Sequence, residues 1–267
     1  MASSHIANGD PGLQAVIDFL REVYDLQTIV GEALRDAFDE VIDCPRTGRY
    51  SLSQLEKTEK TYIGTKVEIV LRTRLGLERG KVLDNRIAGQ EVDTKFSLGL
   101  GWMIPREAVG HICLLVSAGD LGKFSLGIAR AAEEILTRGS NQDKKRSISR
   151  AGREHIYWIC RNESMEKNFL AGLDEATRSA ILSPKYGKQR VQALFRHATS
   201  RLIPRSVVMQ VAQLDGDPLK RAREAKAILA PHGYRILCAR YMSERPEFDR
   251  RFPGAYRKDD WMSLRIG

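Results

Sequence analysis

The sequence is poor in cysteine, and its few cysteines lie far apart. Among 267 residues there are four, and none belongs to a CxxC pair: Cys44, Cys113, Cys160 and Cys238. Each lies in apolar surroundings, which is typical of a reduced core residue and argues against disulfides or zinc ligands. We therefore expect a cytoplasmic protein.

Other absences narrow the class further. No apolar run approaches the roughly eighteen residues that span a membrane, and the opening MASSHIANGDPG has no apolar signal core. The GLGWMIP segment lacks Walker or Rossmann glycine spacing, so no nucleotide cofactor is predicted. The histidines form no recognisable nucleophile or zinc pattern, which disfavours a metal-independent hydrolase.

The net charge of +9 comes from the second part of the chain. Residues 1–163 carry 23 Lys and Arg against 23 Asp and Glu, whereas residues 164–267 carry 20 against 11. A neutral part joined to a basic part favours a polyanion-binding module attached to another domain, although an ordinary basic surface would give the same count. We expect two domains, at residues 1–161 and 162–267.

The first domain combines helical and strand-like patterns. Helical spacing predicts helices in three stretches: Leu13–Ile42 with a break near Gly31, Lys60–Leu77, and Ala129–Leu136. Apolar runs predict strands in three others: His111–Val116, Phe124–Ile128 and Glu154–Cys160. These patterns together predict an α/β domain.

The second domain is predicted to be mainly helical. Its helices cover Gly187–Arg201, Val207–Gln213 and Pro218–Leu229, and a strand follows over Tyr234–Ala239. Three helices, with a brief turn between the second and third, match a winged helix-turn-helix, although a generic helical domain has a similar pattern. The basic third helix would then enter a DNA groove. The predicted DNA contacts are Arg190, Arg205, Lys220, Arg221, Arg223 and Lys226.

The stretch that most clearly suggests a catalytic site contains Asp84, Asp93 and Lys95. In a strand, Asp93 and Lys95 point to one face because side chains alternate with period two. Ala88-Gly89 leaves room for a tight turn, so Asp84 can lie on a neighbouring strand. Two acids and a lysine are expected to converge, although a solvated charged strand can carry the same pattern.

Glu68 lies on the apolar side of the predicted helix over Lys60–Leu77. A carboxylate there is costly unless it is paired, hydrogen-bonded or bound to a metal. A structural ion pair with Arg72 or Arg74 is one explanation, and a role beside the two aspartates is the other.

Three stretches in both halves carry a family resemblance: TGRYSLSQLEKTEKTYIGTKVEI, IAGQEVDTKFSLGLGWMIPREAVGHICLLVSAGD and QRVQALFRHATSRLIPRSVVMQVAQLDGDPLKR. In this order, and with the spacing of the acids and the lysine kept, they resemble the NaeI family of type II restriction endonucleases. The resemblance extends from about Thr47 to Cys238. The N-terminal helices match loosely, and the C-terminal tail is shorter than the family's.

The resemblance implies a nuclease domain of the PD-(D/E)xK type, with a central mixed sheet flanked by helices, followed by the helix-turn-helix domain. It also implies a homodimer that cleaves double-stranded DNA at a short GC-rich palindrome, with a second DNA site whose occupancy activates cleavage. The alternatives are a DNA-binding regulator whose nuclease-like domain is an inactive scaffold, and a non-specific nuclease.

Carried over to matching positions, the implied catalytic residues are Glu68, Asp84, Asp93 and Lys95. The three acids would hold Mg²⁺, which prefers hard oxygen ligands and retains several waters. Neighbouring carboxylates favour the charged form of Lys95, so we expect an ammonium that orients the attacking water and stabilises developing charge, and not a simple general base.

Overall fold

The computed structural model describes residues 9–212 and 217–266. The predicted end of a helix at Gln213 lies outside them. The chain divides into two compact units, one of Met1–Val41 with Ser51–Lys167 and one of Ile42–Tyr50 with Asn168–Gly267. The division after Lys167 falls later than the expected boundary because the strand at that point continues to Ser164.

The described chain alternates helices and strands in its first part and is mainly helical afterwards. The α-helices are α1 Pro11–Glu22, α2 Leu26–Ile42, α3 Cys44–Thr47, α4 Lys57–Arg74, α5 Glu175–Leu182, α6 Gly187–His197, α7 Arg205–Ala212, α8 Pro218–Leu229 and α9 Arg245–Arg251. The strands are β1 Glu78–Arg79, β2 Asn85–Ile87, β3 Gln90–Ser97, β4 Met103–Ile104, β5 Ile112–Ala118, β6 Lys123–Arg130, β7 Arg146–Ser147, β8 Tyr157–Ser164, β9 Leu202–Ile203, β10 Tyr234–Cys238 and β11 Trp261–Arg265. None of the helices in this part of the chain is long and apolar enough to cross a membrane.

The first unit is built on a mixed sheet with the strand order β1-β2-β3-β5-β6-β8. Strands β3 and β5 run parallel, and the other neighbours are antiparallel. Helix α1 packs on β6 and β8, and α4 packs on β3. Phe38 of α2 meets Phe96 of β3 edge to face, with ring centroids 5.7 Å apart. A central mixed sheet flanked by helices is therefore confirmed.

Strand β5 lies at the centre of the core. All its residues are buried, as expected for a strand covered on both faces. Cys113 and Leu115 join an apolar cluster with Trp102 and residues of the segment that follows β6. The Trp102 Nε1–H donates to the backbone oxygen of Val116 at 2.8 Å, so the buried indole is satisfied. Because β3 pairs with β5 along most of its length, this core supports β3 from one side.

The hairpin between β2 and β3 is confirmed. Its two turn residues, Ala88 and Gly89, have φ values of 47° and 79°, the left-handed conformation that two-residue hairpin turns require. Asn85 then pairs with Val92 and Arg86 with Glu91. The turn fixes the register, and the register fixes which side chains of β3 share a face.

Two predicted features of the first unit were wrong. The break between the first helices lies near Asp25, which has a positive φ, and Gly31 lies inside α2. A Cβ on Gly31 would stand in ordinary contact with the Phe124 ring at 3.5 Å, so this glycine lies within the packed helix and does not break it. The predicted helix Ala129–Leu136 is instead the end of β6 followed by a 3-10 turn, because Ala129 pairs with Cys113.

The second unit packs helices α5 to α8 around one another and carries an antiparallel sheet in the order β10-β11-β9. Helix α6 approaches α7 closely at its first residue, since a Cβ on Gly187 would lie 1.9 Å from the Ala212 carbonyl oxygen. Strand β11 is the central strand of the sheet, although its sequence lies in the tail for which the pattern predicts nothing.

Candidate active site

Asp84, Asp93 and Lys95 meet on one side of the hairpin. The Lys95 Nζ donates to Asp93 Oδ1 at 2.7 Å and lies 3.7 Å from Asp84 Oδ2. Asp84 directly precedes β2, and its Oδ2 accepts a hydrogen bond from the Thr94 backbone N–H at 2.8 Å. The expected convergence of two acids and a lysine is present.

The alternation of β3 separates this group from the apolar packing. Val92, Thr94 and Phe96 point to one face, and Asp93 and Lys95 point to the other. Phe96 meets the helix α2 through Phe38, which anchors the strand from behind the charged residues.

Burial dominates the electrostatics of this group. Asp93 is 4% exposed, and burial raises its pKa to about 7 against the opposing charge of Lys95. Burial also disfavours the ammonium of Lys95, but the carboxylates of Asp93 and Asp84 outweigh it, so the Lys95 pKa is raised. Lys95 is therefore an ammonium at neutral pH.

Glu68 lies on α4 and forms an ion pair with Arg72, one of the two partners expected from the sequence. The Arg72 Nη1 lies 3.2 Å from Glu68 Oε1 and also donates to the Asp84 backbone oxygen at 3.3 Å. Arg74 pairs with Asp36 instead. Burial, followed by the nearby Asp84 carboxylate, raises the Glu68 pKa. Arg72 thus links the helix to the residue that begins the hairpin.

The aspartate pair offers carboxylate oxygens that suit a divalent cation. Asp93 Oδ2 is buried and has no hydrogen-bond partner in the described part of the chain. Mg²⁺ takes carboxylate oxygens and keeps several waters, so Asp84 and Asp93 supply the donor chemistry it needs. Within residues 9–212 and 217–266, no three His, Cys, Asp or Glu side chains form a group that could hold a metal. Glu68 is therefore not gathered into a ligand cluster with the aspartates.

Glu91 is a further residue of this site that sequence reasoning did not single out. Its carboxylate accepts hydrogen bonds from three consecutive backbone N–H groups, at Lys81, Val82 and Leu83. These bonds lower the Glu91 pKa to about 2. This role cannot be recognised in the sequence, because the hydrogen-bond donors are backbone N–H groups, which almost every residue type provides.

One predicted DNA contact, Arg190, is part of the interior of the second unit. It is 6% exposed, and its guanidinium donates to the backbone oxygens of Val211, Pro184 and Lys185 at 2.8–2.9 Å. A buried guanidinium committed to carbonyl groups cannot reach a phosphate. The prediction for Arg190 was wrong because helical spacing does not reveal which carbonyl groups approach from other segments.

The other five residues predicted to contact DNA differ in their exposure and in the ion pairs that they form. Lys226 pairs with Glu244 at 2.8 Å, and its Nζ lies 4.7 Å from the centroid of the Tyr241 ring, so it is tied to its own unit. The remaining arginines form ion pairs at partly or fully exposed positions: Arg205 with Asp259, Arg221 with Glu224, and Arg223 with Asp217. Lys220 is exposed on α8.

Comparisons with known proteins relate this chain to one group of enzymes. A family model described as restriction endonuclease NaeI matches residues 16–265. The type II restriction enzyme NaeI of Lentzea aerocolonigenes is 39% identical over 216 residues, which cover 76% of this chain and 68% of that enzyme. The family match includes the hairpin with Asp84, Asp93 and Lys95 and nearly all of the second unit.

Proposed function

The chain belongs to the NaeI family of type II restriction endonucleases, and we propose that it is a Mg²⁺-dependent enzyme that hydrolyses double-stranded DNA at a short, specific, GC-rich palindrome. The observation that carries the proposal is the meeting of Asp84, Asp93 and Lys95 on one side of the β2–β3 hairpin. We place this activity in a PD-(D/E)xK domain that acts in the cytoplasm.

The residues at the hairpin have different proposed roles in phosphodiester hydrolysis. Asp84 and Asp93 would hold Mg²⁺, which when bound polarises the scissile phosphate and lowers the pKa of a water. Lys95, kept as an ammonium by the two carboxylates, orients the attacking water and stabilises the negative charge that develops on the phosphate oxygens. Glu68 and Arg72 hold α4 against Asp84 and thereby keep the first aspartate in place.

The second unit is proposed to be a winged helix-turn-helix that binds DNA. Helices α7 and α8 are consecutive and pack on each other, and the sheet with β10 and β11 follows α8 as a wing would. Asp217 is the N-cap of helix α8, and its carboxylate accepts hydrogen bonds from the N–H groups of Leu219 and Lys220. The exposed Lys220 and Arg223 on this helix are the proposed phosphate contacts.

We further propose a homodimer that takes a second DNA duplex. A palindrome presents two equivalent scissile bonds related by a two-fold axis, so two copies of the active site related by the same axis cut both strands. Binding of a second duplex to the helix-turn-helix unit would activate cleavage, and this coupling must be reciprocal in the binding affinities.

A plasmid assay with and without Mg²⁺ separates this proposal from its main alternative. We expect Mg²⁺ to convert supercoiled plasmid into linear and fragmented products and a chelator to stop the conversion. A regulator with an inactive nuclease-like scaffold would bind the plasmid and leave it supercoiled at every Mg²⁺ concentration.

The salt dependence of DNA binding tests the role of α8. Replacing Lys220 and Arg223 with alanine should weaken DNA binding at all sequences and reduce the slope of log K against log salt by about one for each contact removed, because fewer counterions are released. Binding would be measured by fluorescence anisotropy in Ca²⁺ at several salt concentrations.

Arg250 on α9 provides the matched control for this experiment. Its side chain is 63% exposed and pairs with Glu247, so Arg250→Ala removes one positive charge, as Lys220→Ala and Arg223→Ala each do, from another element of the same unit. The control should keep the wild-type slope. An unchanged slope in the Lys220 and Arg223 variants would place the DNA on another surface.

A further inference from the structure

Glu91 holds the segment that leads into Asp84. The Gly80–Asp84 loop joins β1 to β2, and the Glu91 carboxylate binds three of its backbone N–H groups at 2.9–3.1 Å. Oε1 accepts from Lys81, and Oε2 accepts from Val82 and Leu83. Hydrogen bonds from backbone N–H groups to an ionised carboxylate are among the stronger hydrogen bonds in proteins. The loop is therefore fixed at the residues immediately before Asp84.

The loop is shaped to receive this carboxylate. The Gly80 N–H lies 3.3 Å from the Asp84 backbone oxygen, which closes the loop on itself. A Cβ on Gly80 would stand 2.3 Å from the Leu83 backbone oxygen and 2.7 Å from Glu91 Oε2. Leu83 is buried in the apolar cluster of the first unit, so the end of the loop is anchored as well. A side chain at residue 80 would therefore collide with the loop's own backbone and with the Glu91 carboxylate.

The active site needs such an anchor because its two aspartates repel each other. Asp84 and Asp93 both approach Lys95 Nζ, at 3.7 Å and 2.7 Å. Asp93 is fixed within β3, whereas Asp84 lies at the edge of β2, where the chain leaves the loop. A single ammonium only partly offsets two nearby carboxylates. Without the loop bonds, Asp84 keeps the hydrogen bonds from the Thr94 N–H and from Arg72, but the chain that leads into it is no longer held, so its carboxylate is placed less firmly for a shared cation.

We propose that Glu91 is a positioning residue for Asp84, which acts by clamping the Gly80–Asp84 loop through its backbone. This inference rests on the proposed nuclease function and adds a residue to its machinery. Because Glu91 touches only backbone N–H groups in this loop, it acts through Asp84 and not on the DNA or the cation.

Replacing Glu91 with glutamine or alanine tests the clamp. A misplacement of about 1 Å can cost roughly 10²-fold in rate, so Glu91→Ala should lower kcat about 10- to 100-fold, and Glu91→Gln, which keeps one acceptor oxygen, should lower it less. The dissociation constant for DNA in Ca²⁺ should stay within about twofold, since Glu91 belongs to the first unit and the proposed DNA contacts lie on α8 of the second unit. Mg²⁺ should bind more weakly, measured by calorimetry without DNA.

Amide exchange provides a readout that does not depend on activity. In Glu91→Ala, the amides of Lys81, Val82 and Leu83 should exchange faster with solvent, whereas those of β5 should keep their protection. Gly80→Ala disrupts the same loop without changing Glu91, so it should also lower kcat and Mg²⁺ affinity. The double variant should be no worse than Gly80→Ala alone, because that change already displaces the loop that Glu91 clamps.

Glu78→Gln is the matched control. Glu78 lies on β1, its side chain is 75% exposed, and its nearest cation, Arg86, is 4.0 Å away. This variant should keep wild-type kcat and Mg²⁺ binding. The inference would be overturned if Glu91→Ala kept the kcat, the Mg²⁺ affinity and the amide protection of the wild type. It would also be overturned if the losses of kcat from Glu91→Ala and Gly80→Ala added up in the double variant. If the unmodified protein cleaves no DNA, the nuclease proposal fails, and Mg²⁺ affinity with amide protection still decides whether Glu91 positions Asp84.

Discussion

Replacing Lys95 with alanine is expected to lower the rate of DNA cleavage about 10³-fold, because a positive group beside the developing charge is lost. The substitution leaves Asp84 and Asp93 facing each other without the ammonium that contacts both. The dissociation constant for DNA in Ca²⁺ should change little, since the proposed DNA contacts lie on α8. Single-turnover cleavage of a short duplex measures the chemical step.

Two further variants test whether slow cleavage by Lys95→Ala results from the lost positive charge or from disturbed packing. Lys95→Met keeps most of the aliphatic stem that packs beside Asp93, so it should cleave as slowly as Lys95→Ala if the charge matters. Lys123→Ala removes an exposed lysine from β6 of the same sheet and should cleave at the wild-type rate. Cleavage by Lys95→Met at the native rate would remove Lys95 from the mechanism.

Replacing Arg190 with alanine is expected to destabilise the second unit by about 3 kcal/mol, because one buried and two partly buried carbonyl groups lose their donor. The lost donors belong to one guanidinium that bonds Val211, Pro184 and Lys185. Native-state hydrogen exchange of peptides from α6 and α7 measures the change. The salt slope of DNA binding should stay at the wild-type value as long as the unit is folded.

Arg196 is the matched control on the same helix. It is exposed near the end of α6, so Arg196→Ala removes an equal charge without leaving buried carbonyl groups unpaired. Its exchange rates should match those of the wild type. A reduced salt slope with unchanged stability in Arg190→Ala would return Arg190 to the DNA interface, as the sequence pattern suggested.

The features that could be predicted from the sequence are local. Ala88-Gly89 between two strand-like runs predicts the hairpin because the tight turn and the period-two alternation both act over a few residues. The pairing of Glu68 with Arg72 follows from their spacing of one helical turn. These two relations already place most of the candidate site.

The features that were missed depend on contacts between separate segments of the chain, outside any one helix or strand. The burial of Arg190 is set by the carbonyl group of Val211, which α7 brings to α6. Strand β11 is fixed by its neighbours β10 and β9, and nothing in the tail alone indicates that pairing. Glu91 is defined by backbone donors whose side chains are free to vary. Periodicity contains no information on any of these contacts.

The most direct test of the account is digestion of a plasmid of known sequence by the wild-type protein and by Asp93→Asn, with the ends of the products mapped. In Mg²⁺ the wild-type protein should give discrete fragments whose ends recur at one short sequence, and Asp93→Asn should leave the plasmid uncut while still binding it. The same fragments from Asp93→Asn, or a wild-type digest that leaves the plasmid intact or gives a smear, would contradict the account.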